Sequence, residues 1–140
     1  MPEARPRSAN GRPLAAKLGI RRGETILAIN APQDYEALLG ALPEGVTFRT
    51  EPMRDAAFVH LFVATLAELD ALLPRARAAM TRDGTLWVSW LKKAAKVQTD
   101  VTEGLVRERA LATDLVDVKI CAVSELWSGL KLVIRKHLRG

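Results

Sequence analysis

Three runs of apolar and β-branched residues constrain this chain more than any other feature: Thr25-Ile26-Leu27-Ala28-Ile29-Asn30, Ala57-Phe58-Val59-His60-Leu61-Phe62-Val63-Ala64 and Thr85-Leu86-Trp87-Val88-Ser89-Trp90. Each is apolar on successive residues rather than on alternate ones, the pattern of a strand covered on both faces. Such strands sit in parallel sheets, whose right-handed crossovers lay helices over both sides. The intervening segments supply those helices. Asp34 to Leu42 has an apolar side made by Tyr35, Leu38 and Leu39, and Pro43-Glu44-Gly45 then turns the chain into an alternating run, Val46 to Glu51, read as a strand near an edge. Thr65-Leu66-Ala67-Glu68 has the spacing of a capping box. It opens a helix whose Leu66, Leu69, Leu73, Ala76 and Met80 form one buried stripe, ended by Asp83-Gly84. Asp100-Val101-Thr102-Glu103 repeats the capping spacing for a helix running to Thr113. Val116 to Val123 and Gly129 to Lys136 close the chain as an antiparallel pair, with Gly129 assigned to the turn between them.

The expected fold is α/β, a mostly parallel three-layer sandwich with a C-terminal antiparallel hairpin. Residues 14–140 form it as one domain, behind a flexible basic arm over residues 1–13. A chain of 140 residues buries roughly 68–70% of its unfolded surface, so this core needs no metal or disulfide staple. The single Cys121 fits a reducing compartment, and no apolar run reaches the about 18 residues of a membrane span. A cytoplasmic protein without a membrane partner is the expectation.

The net charge of +5 invites a nucleic-acid reading until its location is considered. Residues 1–22 hold Arg5, Arg7, Arg12, Lys17, Arg21 and Arg22 against Glu3 alone, and the rest of the chain balances 15 basic with 15 acidic side chains. The excess belongs to the arm. A solvated tail is favoured there over a phosphate-binding element, since a Pro-punctuated polar terminus buries too little to order itself.

The order of elements, with Leu18 to Leu27 at the first strand, Met80-Thr81-Arg82-Asp83-Gly84-Thr85-Leu86 before the fourth, and the terminal hairpin, resembles the shell of Rossmann-type S-adenosylmethionine-dependent methyltransferases. Trp90-Leu91-Lys92-Lys93, Thr99-Asp100-Val101-Thr102-Glu103 and Trp127-Ser128-Gly129-Leu130-Lys131 more closely resemble an uncharacterised bacterial family of unknown function. That second resemblance runs from Pro13 onward and implies no activity. The first implies an acidic residue and a run of glycines after the first strand, where backbone must approach the cofactor. The bend reads instead Ile29-Asn30-Ala31-Pro32-Gln33-Asp34, without glycine, and Pro32 removes an amide donor. Glu51 matches the acidic residue that holds the ribose hydroxyls, although a solvated carboxylate after an edge strand is the plainer reading.

Ligands of open α/β sheets gather at the carboxyl ends of the strands. The candidate ligand-binding residues there are Asn30, Thr65, Trp90, Lys92, Lys93 and Lys96, with Trp127 near the same edge. Trp90 beside three ammonium groups suggests an aromatic plate for an anionic or nucleotide-like ligand; a core Trp beside a wet loop weighs equally. His60 reads as a core histidine, His137 lies near a frayed end, and Cys121 reads as a small core residue. No catalytic residue, metal site or cofactor is assigned, and the oligomeric state is not legible. The expectation is a non-catalytic methyltransferase-like domain that binds a small anionic ligand or a protein partner, with a divergent methyltransferase and nucleic-acid binding through the arm as alternatives.

Overall fold

The run that begins at Ala56 dictates the architecture, because from Phe58 to Val63 every residue of it is buried. A computed structural model describes residues 13–96 and 98–139. Its elements are α1 (Leu14–Leu18), β1 (Thr25–Ile29), α2 (Tyr35–Leu39), β2 (Thr47–Arg49), β3 (Ala56–Val63), α3 (Leu66–Ala79), β4 (Met80–Leu91), α4 (Glu103–Leu111), β5 (Leu115–Ala122) and β6 (Trp127–Ile134). The six strands form one sheet in the order β2-β1-β3-β4-β6-β5. β2, β1, β3 and β4 are mutually parallel, and β6 runs antiparallel to both β4 and β5. The sheet is thus mixed α/β and mostly parallel.

Alternate residues of the central strands feed two separate cores. Val59, Leu61, Val63, Val88 and Trp90 pack under α3 and α4 through Leu69, Leu73 and Val106. Ile26, Phe58, Phe62 and Trp87 pack under α1 and α2 through Leu18, Tyr35 and Leu39. The Trp87 indole N–H donates to the carbonyl of Leu18 (3.0 Å), which occupies one of the orphan acceptors at the end of α1. On the other side Arg77 grips Asp114 with two bonds of 2.7 Å, joining α3 to the approach of β5. Those bonds hold the Asp114 carboxyl below its ordinary value.

The ends of several elements differ from the sequence expectation. Pro13, extended at ψ 154°, precedes α1; the rest of the expected arm, residues 1–12, lies outside the described residues. The helix expected to run to Asp83-Gly84 ends at Ala79, because Met80 pairs with Ala56 as the first residue of β4. Between Ala56–Met80 and Phe58–Thr85 the register jumps, so Thr81–Asp83 form a bulge closed by Gly84. A Cβ on Gly84 would stand 3.0 Å from the Ala56 carbonyl oxygen. The helix expected from Asp100 begins at Glu103, with Thr102 as its cap accepting from Leu105 N. Asp100 caps α3 instead, accepting from Leu66 N at 2.7 Å.

The hairpin strands each start earlier than expected, and Gly129 is not in the turn. It lies inside β6, opposite Ser89 on one side and Cys121 on the other. A Cβ there would meet Val123 Cγ2 at 2.9 Å, Trp87 Cε3 at 3.2 Å and Ser89 Oγ at 3.3 Å. The residue is bare so that the Trp87 indole can lie across it. Gly129→Ala should therefore destabilise the protein by about 1–3 kcal/mol in urea unfolding, as overpacking does. Gly104→Ala, exposed in the first turn of α4 with Thr102 Oγ1 at an ordinary contact distance of 4.0 Å from the new Cβ, should stabilise it by about 0.5–1 kcal/mol.

Candidate functional site

β1 and β3 are neighbours whose connections leave toward opposite faces, α2 after β1 and α3 after β3. The crevice between their carboxyl ends is therefore the topological switch point of the sheet. Asn30 stands in it in the left-handed region at φ 60°, a conformation Asn tolerates better than most residues. Its side-chain amide donates to the Phe62 carbonyl (2.9 Å), so it bridges the crevice from one strand to the other.

The next turn is closed in the same manner. Thr65 caps α3 by accepting from Glu68 N, while Glu68 Oε1 accepts from Ala64 N (2.6 Å) and Thr99 Oγ1 donates to the Ala64 carbonyl (2.6 Å). With Asp100 on Leu66 N, two carboxylates occupy the positive end of α3. An anion would find that terminus already neutralised.

Further along the edge the balance reverses. Lys92 follows β4 with its amide bonded to the Leu126 carbonyl (2.9 Å), Lys93 opens a short 3-10 turn, and Lys96 takes a left-handed conformation at φ 56°. Lys92 is half-buried, Lys93 and Lys96 are exposed, and none of the three forms an ion pair among the described residues. Trp90 does not join them as an exposed plate. It is buried in the α3/α4 core at 5% exposure, because it shares the parity of Leu86 and Val88 along β4. Trp127 belongs to the opposite face, half-buried, with its ring edge-on to Phe62 at 4.9 Å. The structure thus gathers Asn30, Thr65, Lys92, Lys93 and Trp127 along one sheet edge and withdraws Trp90 from it. Glu51 is exposed, beyond the end of β2.

Beneath this edge lies a polar chain with no recognised sequence signal. Tyr35 Oη is 3.0 Å from His60 Nδ1, and His60 Nε2 is 2.8 Å from Ser89 Oγ. The His60 ring stacks on Phe62 at 4.3 Å, and Tyr35 sits edge-on to both. His60 and Ser89 have no exposure at all, so this histidine–serine pair is closed off from solvent. Burial pushes the His60 imidazole down to about 3 and the Tyr35 hydroxyl well above its ordinary value. At neutral pH the chain is uncharged, with each imidazole nitrogen occupied by a hydroxyl. His137 lies in an exposed 3-10 turn, and the Cys121 thiol is half-buried and donates to the Ala122 carbonyl.

Comparison with solved structures finds a methylase, a putative methyltransferase and a protein in complex with SAH. The chain superposes on a ribosomal protein L11 methylase from Lactobacillus delbrueckii subsp. bulgaricus with a TM-score of 0.56 and 7% identity, over 86% of this chain and 74% of that one. DhpI in complex with SAH gives 0.57 and 13%, over 86% and 80%. A putative type 11 methyltransferase from Sulfolobus solfataricus gives 0.55 and 11%, over 82% and 85%. At these identities the likeness is one of fold: a Rossmann-like methyltransferase shell. No protein-family profile matches the chain, and no curated protein matches it.

The buried imidazole makes stability depend on pH. Unfolded, His60 takes up a proton below its ordinary pKa of about 6.5; folded, it stays neutral down to about 3. Stability from this residue is complete above pH 6.5 and declines as pH falls toward 3, by about 1.4 kcal/mol per pH unit. Urea unfolding of the wild type and of His60→Gln between pH 7 and pH 4.5 should show a pH dependence steeper in the wild type by one proton.

Proposed function

We propose that this chain is a non-catalytic domain with a methyltransferase shell that binds a small anionic, nucleotide-like ligand where β4 and β6 meet the carboxyl edge of the sheet. The observation that carries the reading is the group of three lysines, Lys92, Lys93 and Lys96, which follows β4 just after Leu91 pairs with the half-buried Trp127 and has no acidic partner among the described residues. Unpaired ammonium groups attract phosphate, and the exposed part of an indole offers a base a surface to stack on. A protein partner with an acidic segment would use the same charges.

The S-adenosylmethionine implied by the fold does not fit the bend after β1. Asn30, Ala31 and Pro32 place side chains and a missing donor where close approach of backbone is needed, and the Asn30 amide is committed to Phe62. A second reading, a methyltransferase with a divergent cofactor bend, is favoured by the switch point itself and by the likeness to the DhpI–SAH complex.

Calorimetric titration separates these readings. ADP or ATP should bind with an affinity that falls with added salt and drops roughly tenfold or more in the Lys92→Ala/Lys93→Ala double variant. S-adenosylmethionine should give no heat at millimolar concentration. Saturable S-adenosylmethionine binding weakened by Glu51→Ala would favour the second reading, and the absence of any nucleotide binding would remove the first.

A further inference from the structure

The connection from β2 to β3 must pass over β1, since β1 lies between them in the sheet. It does so in six residues, Thr50 to Asp55, where a crossover carrying a helix takes roughly 10–12 or more. The short path is open because β2 is only three residues long: Arg49 is level with Leu27, which is level with Val59, so the chain turns back early. A loop therefore covers the α3 side of β1 where a helix would otherwise lie. What remains is a groove of about 520 Å³, within the range of small-molecule sites. Leu27 and Ile29 form its floor, Met53 of the loop one wall, and Leu72 and Ala78 of α3 the other.

Its charge is one-sided. Arg54 and Arg75 also line the groove; both are exposed, and neither side chain makes a hydrogen bond or ion pair among the described residues. The contrast with Arg77 and Arg109 of the same helical layer, which are paired to Asp114 and Asp70, is direct. Among the described residues no acidic side chain lines the groove, and Glu51 and Asp55 of the same loop pair with neither arginine. We propose that this groove binds an amphipathic anion, a molecule with an apolar body laid on Leu27, Ile29 and Leu72 and one carboxylate or phosphate head held by Arg54 and Arg75. Arginine suits such a head because its planar fork matches two oxygens at once. The groove follows the second half of α3, away from Thr65 and the lysines of the edge, so its occupancy does not rest on the nucleotide reading.

The test uses decanoate, decanol and decylamine as probes on the full chain, read by calorimetry. Decanoate should bind saturably with one site per chain, about fivefold more tightly than decanol, and decylamine should not bind. Arg54→Ala/Arg75→Ala should bring decanoate down to the affinity of decanol. Ala78→Trp, at an exposed position whose new indole would fill the groove, should abolish both while leaving circular dichroism and thermal melting unchanged. Decanoate binding that survives Ala78→Trp, decylamine binding as well as decanoate, or no saturable decanoate binding below its micellar concentration would overturn the proposal. Sedimentation with phosphatidylglycerol vesicles separates a free amphiphile from a membrane lipid. Sedimentation lost in Ala78→Trp would place a membrane lipid in the groove, and sedimentation equal in both proteins would assign the vesicle attraction to surface charge and leave the free amphiphile, read by decanoate, as the occupant.

Discussion

A buried imidazole must have both of its nitrogens answered, and in this protein that requirement fixes how one face of the sheet is covered. His60 sits in the middle of β3 with no exposure, between the hydroxyls of Tyr35 and Ser89. Leaving either nitrogen without a partner would cost about 1–3 kcal/mol. Tyr35 is the first residue of α2, a helix of five residues that would not persist by itself. Its ring packs edge-on against Phe48, His60 and Phe62, so one side chain both completes the polar chain and seats the helix over the sheet.

α1, equally short, is seated in a related way, by the Trp87 indole reaching the Leu18 carbonyl. The room for that indole comes from Gly129 on the neighbouring strand. The opposite face is assembled differently. α3 and α4 present ordinary apolar stripes, and ion pairs from Arg77 and Arg109 tie them to the approach of β5 and to each other. These pairs are partly exposed and add little beyond orientation. One face thus relies on aromatic side chains with a polar tip, the other on aliphatic burial.

The central strands and the Thr65 cap are legible in the sequence because their signals are local: successive apolar residues for β1, β3 and β4, and a threonine three residues before a glutamate for α3. The failures are equally physical. Asp100 has the right spacing to cap α4 but lies closer to the start of α3, and a spacing rule sees only neighbours along the chain. In a strand apolar on both faces nothing tells which parity faces which helix, so Trp90 and Trp127 could not be assigned to opposite cores. Gly129 reads as a turn residue because the indole that excludes a side chain there is 42 positions away. The groove beside β1 has no sequence pattern, since it arises from a helix that segment 50–55 is too short to contain.

The carboxyl edge divides into two electrostatic regions. At the switch point, Asn30, Glu68, Thr99 and Asp100 consume the polar groups of the Phe62 to Leu66 turn. On the next strand, after β4, three lysines stand without an ion pair among the described residues. Under the proposed reading, an anionic ligand at this edge would be held at the β4–β6 junction rather than in the crevice where the fold's topology changes direction. A shell fixes where strand ends lie, while the side chains placed on those ends decide what is held there. In this chain polar groups at the crevice are engaged in intrachain hydrogen bonds, while the lysines without an ion pair among the described residues lie elsewhere on the same edge.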